Sequence, residues 1–140
     1  IAVMGVSEGG LLALYSAAID TRIDGAVVSG YFNQREGVWQ EPIYRNVWGL
    51  LREFDDANIA SLIAPRLLCI ETNPLIPEHD GPPKPRQGRG AGAAPGFIKR
   101  IDSNSAMTAV QQTTPHWSKL ASVGGAKVKN VWVTSHNTPE

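Results

Sequence analysis

A chain of 140 residues is long enough for one domain with its own core, and its 13 basic residues balance 13 acidic ones to a formal net charge of zero. That balance argues against a role driven by charge, on nucleic acid or at a membrane surface, and no apolar run approaches the length of a membrane span. The single cysteine, Cys69, excludes an internal disulfide and, set in an apolar run, reads as a small buried residue.

The chain opens inside a strand, at Ile1, rather than with a basic segment and an apolar core. We read it as a piece of a longer protein, so the lack of a leader says nothing about localisation. The short apolar run Ile1–Met4 predicts a buried strand, and the proline-free stretch Leu11–Ile19, apolar on most sides, predicts a buried helix. Between them Gly5, Ser7 and Gly9 spell G-x-S-x-G, the nucleophile-elbow pattern, in the strand-turn-helix context that pattern demands. A serine on so sharp a turn has a strained backbone and an exposed hydroxyl, and the flanking glycines are expected because a Cβ there would clash. The helix N-terminus behind it offers N–H groups and a positive dipole end to charge developing on a carbonyl oxygen. A P-loop would need Lys-Ser or Lys-Thr after the last glycine, and Gly10 is followed by Leu11. A dinucleotide fingerprint would need G-x-G-x-x-G, and the spacing here is G-x-x-x-G-G. The plain alternative is that Ser7 is only a small turn residue.

Asp20-Thr21-Arg22 breaks the helix, and Asp24–Val28 predicts a second buried strand, completing a parallel βαβ unit and an α/β fold class. After the polar loop Tyr31–Glu41, the stretch Pro42–Phe54 predicts a helix with Ile43, Val47, Leu50, Leu51 and Phe54 along one face. Trp39, Tyr44 and Trp48 could line an acyl pocket, although aromatics at these spacings more often belong to a core. A short helical turn, Ala57–Ile63, ends at Pro65, and Leu67–Ile70 predicts a third strand. From Thr72 to Gly96 the composition shifts to Pro, Gly and basic residues, which predicts a mobile surface loop whose Gly81–Gly96 part is dispensable for folding. Its single R-Q-G-R-G copy in a neutral chain reads as linker rather than as an RNA-binding repeat. Ser103–Leu120 predicts helical stretches interrupted at Pro115, and Val128–Val133 a fourth strand before the polar tail Ser135–Glu140. All four strands are expected in one parallel sheet with helices flanking it.

Three stretches, Ile1–Gly10 with its helix, Ile23–Phe32 and Asp55–Glu71, resemble the C-terminal half of an α/β-hydrolase, closest to the dienelactone-hydrolase and acetyl-xylan-esterase branch. The resemblance covers about the first half of the chain and fades across the Pro/Gly loop. It implies one partial α/β-hydrolase domain over residues 1–140, completed by the rest of the parent chain, with the order serine, acid, histidine. Ser7 matches the nucleophile and the backbone N–H of Glu8 one oxyanion donor. The acid belongs in the loop after the third strand, where the branch carries G-T-x-D-P; this chain reads Thr72-Asn73-Pro74 there, so Glu78 is the first candidate, then Asp80 and Glu71. The histidine belongs after the last strand, which makes His136 the candidate over His79 in the acidic loop and His116 after Pro115; the partner could also lie beyond Glu140. Glu78-His79-Asp80 does not read as a metal site, because adjacent residues point apart and no further ligand cluster exists.

What the resemblance implies is a serine carboxylic-ester hydrolase acting on small-molecule or carbohydrate esters through an acyl-enzyme, with no metal or organic cofactor. The second oxyanion donor is expected from a loop before Ile1. Two other classes stay open. One is a serine peptidase of the prolyl-oligopeptidase type, whose elbow also ends in a double glycine. The other is a hydrolase-like binding or structural domain without the chemistry.

Overall fold

The computed structural model describes residues 1–72, 96–124 and 131–134. Strands β1 (Ala2–Val6), β2 (Gly25–Ser29), β3 (Leu67–Glu71) and β4 (Val131–Thr134) form one sheet in the order β1-β2-β3-β4, all pairs parallel. The four expected strands are thus present, in one parallel sheet. The register aligns Val6 with Ser29 and Ser29 with Glu71, so the carboxyl ends of the first three strands lie level. In open parallel sheets that end is where ligands bind.

Helix α1 (Glu8–Ile19) crosses from β1 to β2 and packs on both. Its packed face is made of Gly10, Ala13, Leu14 and Ala17; the three small residues let the helix lie close to the sheet and Leu14 fills the core. No basic side chain stands in its last turn. Arg66, arriving from just before β3, closes that end instead, donating to the carbonyl oxygens of Ala17 at 2.7 Å, Asp20 at 3.1 Å and Ile23 at 2.7 Å. Helix α3 (Asp56–Ser61) is capped by Asp55, which accepts from the Asn58 N–H at 2.7 Å. The core joins Leu14, Val28, Ile63, Leu68, Ile70 and Ala109.

Two expectations for helices need correction. Pro42–Phe54 is not one helix but one short turn, Ile43–Arg45, followed by a single helical turn α2 (Leu50–Glu53), with a further short turn, Val38–Gln40, just before it. Gly49 at φ 76° interrupts the run, and most of the intended apolar face stays out: Ile43 is 70 % exposed and Val47 56 %, while Leu50 packs partly against the core. Arg45 goes in instead, paired with Glu8 at 2.7 Å and Glu41 at 3.1 Å. The aromatics Trp39, Tyr44 and Trp48 are exposed too, so they are not core.

The second correction is α4 (Ser103–Gly124), which runs through Pro115 without a break. Pro115 removes one hydrogen bond, the one Gln111 would accept, and both residues face outward, where water can take its place. Inward, Ala106, Ala109, Val110, Thr113 and Trp117 form a continuous buried stripe. Trp117 also donates from Nε1 to the Arg66 carbonyl at 3.1 Å, tying α4 to the start of β3. The Gly81–Gly96 expectation falls almost wholly outside the described residues. No described helix is long and apolar enough to cross a membrane.

Candidate functional site

Ser7 links β1 to α1 with φ 55° and ψ −115°, a positive φ that costs a non-glycine residue backbone strain. The strain is held in place from both sides. The Ser7 N–H donates to the Ser29 carbonyl at 2.9 Å, and its own carbonyl accepts from the Leu11 N–H at 3.1 Å. Gly5 is required here, because a Cβ on it would lie 2.0 Å from the Gly9 carbonyl oxygen. Gly9 corrects the expectation of symmetry, since a Cβ there meets nothing within 4 Å. The second tight glycine is Gly10, where a Cβ would come within 2.8 Å of the Ser29 carbonyl oxygen.

The Ser7 hydroxyl donates to Glu8 Oε2 at 2.7 Å and accepts from Arg45 Nη2 at 3.2 Å. Glu8 Oε1 in turn accepts from Arg45 Nη2 at 2.7 Å, Arg45 Nε at 3.0 Å and the Tyr44 hydroxyl at 2.8 Å. Partial burial works to raise the Glu8 pKa, but the Ser7 and Tyr44 hydrogen bonds and the Arg45 charge together outweigh it and lower it to about 2. Glu8 is therefore ionised at any ordinary pH and a poor acceptor of the Ser7 proton.

Behind this pair the charges alternate. Glu41 Oε2 accepts from Arg45 Nη1 at 3.1 Å and from Arg35 Nη2 at 2.8 Å. Arg35, at φ 60°, stacks over the Tyr31 ring at 4.4 Å, and its Nε stands 3.9 Å from Asp56 Oδ2. Asp56 also accepts from the Asn33 N–H at 3.2 Å. Burial drives the Asp56 pKa up to about 7 despite the pull of Arg35 and that hydrogen bond. Burial likewise pushes the Tyr31 phenol well above its ordinary value. The groove beside the network is lined by Tyr15, Tyr31, Arg35, Val38, Arg45 and Val47.

Of the residues singled out from the sequence, the structure brings Ser7 and Glu8 together at the head of α1. Glu71, the third-choice acid, ends β3 and accepts from the Ser29 hydroxyl at 2.7 Å rather than from any group at Ser7. Glu78, Asp80, His79 and His136 lie outside the described residues. His116 is exposed in the middle of α4. Among the described residues no group of three His, Cys, Asp or Glu side chains could hold a metal.

Sequence reasoning missed Arg45 and Glu41, gave Tyr44 only as a possible pocket aromatic, and missed the Glu8 carboxylate as distinct from its N–H. Their sequence signal is the Glu41/Arg45 pair, four residues apart, with Glu41 closing the polar loop and Arg45 standing among the apolar positions of the stretch that follows.

No family profile and no curated protein sequence matches the chain. Among solved structures, a promiscuous CE15 esterase from a marine bacterial metagenome superposes with a TM-score of 0.53 at 18 % identity, over 97 % of this chain and 37 % of the other. A glucuronoyl esterase from Solibacter usitatus gives a TM-score of 0.47 at 15 % identity, over 98 % and 38 %. The chain thus spans little more than a third of the length of the first of these. The likeness to the first is one of fold: a partial α/β-hydrolase-type sheet with its flanking helices.

Proposed function

We propose that this chain carries the nucleophile of a serine carboxylic-ester hydrolase of the acetyl-xylan-esterase type, as the C-terminal part of one α/β-hydrolase domain completed by the rest of the parent chain. The observation that carries the reading is Ser7 itself. It is a serine held at φ 55° at the junction of a parallel strand and a helix N-terminus, and its hydroxyl meets the side chains of Glu8 and Arg45 rather than capping the helix. Likeness of fold to a structure described as an esterase is in keeping with it.

In this mechanism the Ser7 oxygen attacks the ester carbonyl, and a histidine, His136 by chain order, takes its proton. Glu78 orients that histidine. The Glu8 N–H donates to the oxyanion, the alcohol leaves, and water releases the acyl group from Ser7. The full-length protein is expected to hydrolyse short-chain 4-nitrophenyl esters, and its Ser7→Ala form is expected to lose at least about a thousandfold of that rate. A Ser7→Ala protein as fast as the wild type would remove the reading.

A second reading has one observation in its favour. The described partners of the Ser7 hydroxyl are Glu8 and Arg45, so the same geometry fits a hydrolase-like binding domain whose serine is structural. Absence of Ser7-dependent turnover on any ester would support it.

A further inference from the structure

We propose that Arg45 is a catalytic residue of the Ser7 site, its guanidinium donating to the negative charge that forms on the substrate carbonyl oxygen as Ser7 attacks. The proposal rests on the hydrolase reading of Ser7 and adds a donor that reading lacks: it expects the second oxyanion donor from outside these residues, whereas Arg45 supplies one from within.

The argument begins with position. Arg45 Nη2 stands 3.2 Å from Ser7 Oγ, and the Arg45 side chain is only 4 % exposed. In the tetrahedral adduct the oxyanion is bonded to the same carbon as Oγ, so an oxyanion formed on the Arg45 side of that carbon lies next to the guanidinium. Attack also changes what Oγ can accept. Once bonded to carbon it is a poor acceptor beside a full oxyanion, and the N–H directed at Oγ turns to the stronger partner.

The second part is preorganisation. Glu8 takes Nε and the other Nη2 hydrogen, and Glu41 takes Nη1. Glu41 is fixed in turn by Arg35, which stacks on Tyr31 and faces Asp56. The cation is therefore aimed before substrate arrives, so that little reorganisation is left for the reaction itself. Arginine suits the place better than lysine, because its planar fork can hold two carboxylates and keep a donor for a third oxygen.

The electron count is that of ordinary acyl transfer. An Oγ lone pair forms the bond to carbon, and the carbonyl π pair moves onto oxygen. The Oγ proton goes to the histidine. When the pair returns, the bond to the alcohol oxygen breaks and the alcohol takes that proton. Arg45 keeps its protons throughout and only donates hydrogen bonds.

The test uses the full-length protein on 4-nitrophenyl acetate, comparing wild type, Arg45→Lys and Arg45→Ala. Arg45→Lys can still pair with Glu8 and Glu41, so its near-UV circular dichroism should match the wild type while kcat falls about tenfold. Arg45→Ala should lose about a hundredfold in kcat with KM changed less than about threefold, and added guanidinium should recover part of the loss. If Arg45→Ala does not fold, the lysine variant decides alone. Folded variants that keep kcat within about threefold of an active, Ser7-dependent wild type overturn the role of Arg45 and leave the hydrolase reading standing. A wild type with no Ser7-dependent turnover removes both.

Discussion

Gly5 and Gly9 flank Ser7 evenly in the sequence but not in space. Gly5→Ala would drive a Cβ onto the Gly9 carbonyl, whereas Gly9→Ala meets open space. Gly5→Ala is therefore expected to destabilise by about 3 kcal/mol and Gly9→Ala by less than about 1 kcal/mol, read from urea midpoints. Equal effects would mean the turn is not packed as described. Asp56 gives a second contrast, in pH. Its folded pKa, about 7, lies above the ordinary 3.8, so across that window the folded state holds a proton the unfolded state has released. Its contribution is present below 3.8 and is lost as pH rises to about 7. Asp56→Asn keeps an acceptor for the Asn33 N–H and removes the titration. The stability of the variant relative to wild type should thus rise over that window, and a difference independent of pH would contradict the assignment.

At the scale of elements, strands were legible and helices only partly so. Short apolar runs flanked by breakers located β1, β2 and β3, although only β2 is buried along nearly its whole length and β1 proves largely exposed rather than the buried strand expected. Helical periodicity misled over Pro42–Phe54, where the fold buries Arg45 while Ile43, Val47, Leu51 and Phe54 stay exposed and Leu50 packs only partly against the core. Pro115 misled in the opposite direction, since its cost falls on an exposed turn while the buried stripe of α4 continues past it. Pro115→Ala should restore the bond to the Gln111 carbonyl and raise stability by about 1 kcal/mol or more, seen as a higher Tm. A lower Tm would mean the proline ring makes packing that the exposed position does not indicate.

Over the whole molecule, β1 is the edge strand of the sheet among the described residues, and its Met4 is 74 % and Val6 51 % exposed. An open edge with apolar side chains invites association. The isolated chain is expected to self-associate at micromolar concentration, and Met4→Lys to reduce that in sizing experiments. A monodisperse monomer would show that the edge is not sticky. The same scale explains what the sequence could not say about the site. The position of Ser7 at a strained strand-to-helix turn was legible because the motif is local, with neighbours in sequence that are neighbours in space. Arg45 was not, because it lies 38 residues from Ser7 and is brought there by the turns after β2. The charges behind it follow from burial, which no local pattern encodes.

The central claim is that Ser7 is a nucleophile rather than a turn residue, and covalent capture tests it most directly. The full-length protein would be treated with a fluorophosphonate and its mass and labelled peptide determined. The account predicts one adduct, on Ser7, absent from Ser7→Ala. A folded protein that takes no label, or takes it on another residue, would contradict it.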